Sequence, residues 1–326
     1  MNIKRKRLAI IGECMIEFST RDYESLVQGY GGDSINTAVY FSRMAGGFAD
    51  VSYVTVLGED NLSDAMEAEW REEGVDVKWV CRSTTRQPGA YLIQLDKHGE
   101  RSFLYWRNDS AARYLFQHPQ MPEIESALEP YDMLFFSGIS IAILPKKDRV
   151  KLLAMIKRLS DLGVKLAFDT NYRPVLWESP AVARKTYKEI FALVDLVFTS
   201  DVDEAELWAD KNTTDALQRL HYAGAKEVVL KQGELGCQYS AVGKTPRQFP
   251  ATQISEVIDT TSAGDAFNAG FLARYLDGAS IEEACQLANL IAGIVIQSSG
   301  AIIPASQMKQ FSTIGKFRSG VNEDEA

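Results

Sequence analysis

The sequence predicts an α/β fold: a mostly parallel sheet covered by helices on both faces, with a small second β-sheet over it. Three observations predict this. Short apolar runs alternate with helical patterns along the chain. The strand runs, such as "MLFF" and "DLVF", are nearly continuous in apolar residues, which suits strands buried on both faces. Two stretches break the rhythm. Residues 17–30 are polar without helical periodicity, and residues 89–107, "GAYLIQLDKHGERSFLYWR", read as a β-hairpin with its turn at 96–99.

The elements follow in order. Residues 7–12 read as the first strand. Residues 34–45 read as a helix, with Asp33 as N-cap and Gly46 and Gly47 as a C-terminal stop. Residues 51–57 form a strand, and residues 64–73 a helix stopped by Gly74. After the hairpin come a strand in 131–138, a helix over 145–162, a strand at 164–169 and a helix over 181–192. Strands at 194–200 and 226–233 follow, and helices at 263–276 and 281–296 close the fold. The last helix is apolar nearly all round, which marks it as buried. No repeat or linker interrupts the chain. It therefore reads as one domain over residues 1–326, with segments about 14–31 and 88–110 inserted as a lid and 316–326 as a frayed polar tail.

Composition narrows the function. The 326 residues carry a formal charge of −9 and no long basic block beyond the N-terminus, which argues against nucleic-acid binding. The apolar run at residues 8–11 is shorter than the ~7–15 residues of a secretory core. No run approaches the ~20 residues of a membrane span. A cytoplasmic protein without a membrane partner is expected. Cys14, Cys81, Cys237 and Cys285 are scattered, with no clustered histidine, so they read as packing thiols rather than a zinc site.

No GxxxxGK[ST], HExxH or GxSxG occurs, and the first strand ends with one glycine where a dinucleotide fingerprint needs three. The sharpest signal is "DTTSAGDAFNAG" at residues 259–270. Small residues let backbone approach a ligand, and the helix that follows aims free N–H groups at an anion such as phosphate. Asp265 would repel that anion. It can instead take the proton from a hydroxyl that attacks a phosphoryl group. The competing reading is a capping box, Ser262-x-x-Asp265. In "GYGGDSINTAVYFSRMAGG", Gly31 and Gly32 precede the helix and Asn36 lies one turn in, where it could face a ligand. In "FLYWRND", Tyr105 and Arg107 share one face of a strand, suited to a carboxylate-bearing substrate or to a solvated hairpin face. "FDTNYRP" places Asp169, Asn171 and Arg173 at a strand's carboxyl end, where open α/β sheets bind ligands. "DVDEAEL" carries Asp201, Asp203 and Glu204, either orienting Mg²⁺ through water or favouring a helix dipole.

In this order the pieces resemble the PfkB (ribokinase-like) family of carbohydrate kinases over almost the whole chain. "GGDSINTAVYFSRMAG" resembles its N-terminal signature and "DTTSAGDAFNAGFLARYL" its C-terminal one. "IGECMIEFS", "FLYWRNDSAA", "FSGISIAIL", "FDTNYRPVLW" and "GAIIP" are similar to the 2-keto-3-deoxygluconate kinases within it. The resemblance implies a ribokinase-like α/β/α sandwich with a β-sheet lid, ATP and Mg²⁺. It implies Asp265 as base and the loop Ser262, Ala263 and Gly264 as an anion hole. Gly32, Asp33, Asn36, Tyr91, Tyr105, Arg107 and Arg173 match positions that hold a sugar acid. Tyr91 rests on the resemblance alone. Lys231, Gly233 and Gly236 match a nucleotide-binding turn, and Asn289 falls near the adenine.

Two departures stand out. Ser262 replaces a family glycine, and the NxxE motif reads "DVDE", with Asp201 for Asn and Glu204 kept. The resemblance makes Glu204 a ligand of hydrated magnesium and Asp259 the candidate for a monovalent cation. The implied reaction is phosphorylation of the C6 hydroxyl of 2-keto-3-deoxygluconate. The alternatives are a kinase for fructose or 5-dehydro-2-deoxygluconate, and a non-catalytic sugar-binding protein. Open strands on the lid predict a homo-oligomer.

Overall fold

The computed structural model describes residues 5–19, 25–95 and 101–311. In chain order the strands are β1 (Lys6–Ile11), β2 (Met15–Ser19), β3 (Val27–Gly31), β4 (Ala49–Gly58), β5 (Val80–Ser83), β6 (Ala90–Leu95) and β7 (Arg101–Trp106). They continue as β8 (Met133–Ser137), β9 (Lys165–Asp169), β10 (Leu196–Ser200), β11 (Glu227–Lys231), β12 (Cys237–Ala241) and β13 (Arg247–Phe249). The helices are α1 (Asp33–Ala45), α2 (Asn61–Glu72), α3 (Met121–Leu128), α4 (Gly138–Ala142) and α5 (Lys146–Asp161). α6 (Pro180–Phe191), α7 (Asp201–Trp208), α8 (Thr213–Tyr222), α9 (Ala263–Leu276) and α10 (Ile281–Val295) follow.

Alternate residues of the central strands enter different cores. Leu8 and Ile10 pack with α1, α2, α9 and α10, whereas Ala9 and Ile11 pack with α3, α5, α6 and α8. Met133 and Phe135 repeat the first pattern, and Leu134 and Phe136 the second. This is the period of two that a strand imposes. It explains why the runs had to be apolar at every position. The result is three layers around a nine-stranded sheet in the order β13-β12-β11-β10-β9-β8-β1-β4-β5. Every pair is parallel except β11–β12 and β12–β13. A separate four-stranded sheet runs β3-β2-β6-β7, built from the two stretches that broke the α/β rhythm.

α9 lies between α1 and α10. Gly270 permits the close approach, because a Cβ there would stand 3.0 Å from the Ala288 Cα. Among the described residues no helix is long and apolar enough to cross a membrane.

Some local expectations change. Asp33 is not the N-cap of α1 but its first residue, after an extended Gly32. Gly46 closes α1 in a right-handed conformation, whereas Gly74 after α2 is left-handed as a stop should be. Strands β5, β12 and β13 had no sequence signal. They are three to five residues long, too short for a pattern, and pairing at the sheet edges makes them. The expected hairpin turn at 96–99 and the tail at 316–326 lie outside the described residues.

Candidate active site

The carboxyl ends of β9, β10 and β11 open into a cleft of about 980 Å³ beneath the small sheet. Asp169, Ser200 and Lys231 line it from the strand ends, and Tyr91, Phe103 and Tyr105 from β6 and β7. Beside it is a second cavity of about 680 Å³, lined by Gly233, Gly236, Asn289 and Ile296 among others. The two share one wall, made of Lys231, Val257, Thr260, Ala263 and Gly264. A group bound on one side therefore meets a group bound on the other at the N-terminus of α9.

That N-terminus is built unusually. Ser262 precedes α9 with φ +65°, a left-handed conformation rare outside glycine, and makes no side-chain cap bond. Its Oγ is buried without a partner. The capping-box reading of Ser262 and Asp265 therefore fails. Asp265 turns instead to Asn36 of α1, whose Nδ2 donates to its Oδ2 at 2.9 Å. Burial pushes the Asp265 carboxyl up to about 7; Asp33 and Asp169 add to the push, while Asn36 and Lys231 oppose it. A carboxyl poised there can act as a base near neutrality.

Carboxylates crowd the cleft. Asp33, Asp169, Asp203, Asp259 and Asp265 all line it. Asp33 accepts from the Ser34 amide at 2.8 Å and from Asn171 Nδ2 at 2.9 Å, and burial pushes its carboxyl up. Asn171 holds a left-handed φ of +30° to reach it. Lys231 Nζ sits 3.2 and 3.3 Å from the Asp169 oxygens and 3.2 Å from Asn268 Oδ1. Asn268 Nδ2 closes the ring by donating to Asp169 at 2.7 Å. Three acceptors thus hold the ammonium beside Gly264, 3.5 Å from where a Cβ would lie.

Under the small sheet, Arg107 is buried and its Nη2 donates to the buried Glu13, whose other oxygen accepts from Ser110 Oγ. Arg107 Nε is buried without a partner, and the residue lines the cleft. Arg173 also lines the cleft, half exposed, donating to the Tyr172 carbonyl at 2.8 Å and 3.8 Å from Asp203.

Residues 5–308 match the family described as pfkB family carbohydrate kinase. The chain belongs to that family. It is 46% identical over 301 residues to "2-dehydro-3-deoxygluconokinase" of Haemophilus influenzae, covering 91% of this chain and 96% of the relative. It is 42% identical over 306 residues to the Escherichia coli K12 protein of the same name, covering 93% and 99%. Among solved structures, aminoimidazole riboside kinase from Salmonella enterica, complexed with aminoimidazole riboside and an ATP analog, superposes with a TM-score of 0.80. The match spans 94% of this chain and 99% of that one at 21% identity, a likeness of fold.

On the pfkB frame, Gly32, Asp33, Asn36, Tyr91, Tyr105, Arg107, Arg173, Ser262, Ala263, Gly264 and Asp265 all meet in the first cleft. Lys231, Gly233, Gly236 and Asn289 meet in the second. Gly236 has φ +88°, and a Cβ there would strike the Phe249 carbonyl at 2.1 Å, so only glycine fits the turn. Glu204 stands apart. Its carboxylate is buried, bonded to Thr199 and Arg219, and does not line either cavity; Asp203 is the acid of that pair that faces the cleft. Asp259 spends both oxygens on the backbone amides of Thr261 and Gly300, at 2.9 and 2.7 Å, fastening the loop before α9. Sequence reasoning missed Glu13 and Asn268. The only signal for Glu13 was a charge breaking an apolar run, and Asn268 is the lone amide of α9, three residues after Asp265.

Proposed function

We propose that this pfkB-family protein transfers the γ-phosphoryl group of ATP to the C6 hydroxyl of 2-keto-3-deoxy-D-gluconate, giving 2-keto-3-deoxy-6-phosphogluconate. The observation that carries the reading is the shared wall: two cavities meet at Lys231, Ala263 and Gly264, with Asp265 on one side. ATP occupies the second cavity, with its adenine toward Asn289 and its phosphates toward the start of α9. The sugar acid occupies the first. Asp265 takes the proton from the hydroxyl, the oxygen bonds to the γ-phosphorus, and the bond from that phosphorus to the ADP oxygen breaks. The amides of Ala263 and Gly264, the α9 dipole and Lys231 offset charge on the phosphoryl oxygens. Magnesium, when bound with the nucleotide, neutralises phosphate charge further. Asp203 offers the hard oxygen that suits it through water.

The choice of a sugar acid rests on the relatives' names and on the arginines. Arg107 reaches the cleft already paired with Glu13, and its unpartnered Nε calls for an acceptor from the ligand. Arg173 adds a second guanidinium, at a distance from Asp203 too long for a hydrogen bond. The test is ATP- and Mg²⁺-dependent turnover of 2-keto-3-deoxygluconate against fructose and 5-dehydro-2-deoxygluconate. Turnover of fructose at equal or higher kcat/KM overturns the sugar-acid assignment, and no turnover of any of the three overturns the kinase reading.

Truncating Arg107 separates recognition from folding. Arg107→Ala raises KM for the sugar acid tenfold or more with a smaller change in kcat. It also leaves Glu13 buried beside Ser110 alone, at a cost of about 3–5 kcal/mol. The double variant Glu13→Gln/Arg107→Met removes both charges, so it recovers much of the melting temperature while KM stays high. A KM that recovers with the melting temperature means that Arg107 serves the fold and not the substrate.

A further inference from the structure

One amide touches the proposed base and opens onto the cleft as well. Asn36 is 4% exposed, and its Nδ2 donates to Asp265 Oδ2 at 2.9 Å. Its Oδ1 is buried without a partner, while the residue lines the cleft. The amide orientation follows from chemistry: only the NH₂ end can donate to a carboxylate, so the carbonyl end is left for the ligand. Asp265 Oδ1 accepts no hydrogen bond from any described residue. On the same turn of α1 the Thr37 hydroxyl donates to the Asp33 backbone carbonyl at 2.8 Å and has the Asp265 backbone carbonyl as a longer, shared acceptor at 3.4 Å.

We propose that Asn36 is a positioning residue for Asp265: it occupies Oδ2 and leaves Oδ1 as the oxygen that takes the proton. This deepens the kinase reading and rests on it for the word base. A carboxylate free to rotate offers either oxygen at any angle. One with an oxygen pinned offers the other in a fixed direction, which is what proton transfer in a short-lived complex needs. The bond also favours the ionised carboxylate, because a donor stabilises the charged form. That matters here. The charged groups that bear most on Asp265 are Asp33 of α1, Asp169 at the end of β9 and Lys231 at the end of β11. Tyr40, also on α1, is a neutral hydroxyl engaged with the Ala301 carbonyl at 2.9 Å. Two of the three charged groups are carboxylates that oppose ionisation, and Asn36 works against them beside Lys231.

The test measures protonation apart from activity. In protein carrying carbon-13 at aspartate carboxyls, the Asp265 signal is assigned by its loss in Asp265→Asn and followed with pH. Asn36→Ala moves the midpoint upward by about one pH unit. The near-isosteric apolar Asn36→Leu moves it by a similar amount and guards against a cavity in the alanine variant. The acid limb of kcat/KM for the sugar acid, at saturating Mg·ATP, moves by the same amount; comparison with wild type cancels the titration of the nucleotide. A midpoint and an acid limb that stay at the wild-type pH while KM alone rises overturn the proposal and leave Asn36 a plain substrate contact. Failure of the kinase reading appears differently, as a midpoint that shifts in a protein with no phosphoryl transfer to lose.

Discussion

Replacing Asp265 by Asn lowers kcat for the sugar acid by ~10²–10⁴-fold or more, the loss expected for a general base, while the protein melts at the same temperature or higher. Both halves follow from one fact. Asp265 is partly buried near Asp33 and Asp169, and its carboxyl is pushed up to about 7. A raised carboxyl pKa means that the folded state holds its proton more tightly than the unfolded chain, where it leaves near pH 4. Ionised Asp265 therefore costs stability. The cost is absent below about pH 4, grows as pH rises, and is complete above about pH 7. Asn at 265 removes it, so the variant's advantage in melting temperature appears at pH 8 and vanishes toward pH 4. The wild-type rate runs the opposite way. A base must be ionised, so kcat/KM falls about tenfold per unit below the Asp265 pKa. An Asp265→Asn protein that keeps its activity and melts lower at pH 8 would show Asp265 to be structural, and the mechanism would fall.

Replacing Lys231 by Met lowers kcat ~10²–10³-fold, the range for loss of one preorganised charge stabiliser. Five carboxylates line the acceptor cleft, and a phosphoryl group brought among them needs a fixed positive charge at the crossing point. Lys231 is the ammonium on the wall common to both cavities. Its flexible stem would wander without the Asp169 and Asn268 contacts. Removing it also leaves Asp169, 3% exposed, with Asn268 as its remaining side-chain partner, so the melting temperature drops by several degrees. Lys231→Arg keeps the charge but not the shape. It restores the melting temperature in part, and kcat less. If Lys231→Met raises KM for ATP and leaves kcat near wild type, the lysine tethers the nucleotide without acting in the transition state.

Asn36, Lys231 and Asp265 were each visible in the sequence, yet their partnerships were not. The Asn36–Asp265 bond spans 229 positions, the Asn268–Asp169 bond 99, and the Arg107–Glu13 pair 94. Arg107 read as a guanidinium on a strand face, for a carboxylate or for solvent, and it is a buried one already paired with Glu13. Glu204 read as the metal-side acid of its motif, and Arg219 and Thr199 engage it where it lines neither cavity. A cap was the competing reading of Ser262, and with a left-handed backbone its side chain makes no cap bond.

The sequence by itself determined the layered α/β sheet, the helices at its faces, the excursion into a second sheet and the loop of small residues that ends in Asp265. These are local matters. Apolar periodicity, helix stops and small-residue turns act within a few residues, and they leave their mark in the order of the letters. The tertiary structure alone decided which carboxylate faces which donor, that two cavities share one wall, and that Asn36 reaches the acid at the start of α9. Such choices depend on how α1, β9 and β11 are brought to the mouth of α9 when the sheet closes and its faces pack. Contacts of that kind are set by the summed burial of two cores, and no short stretch of sequence encodes them.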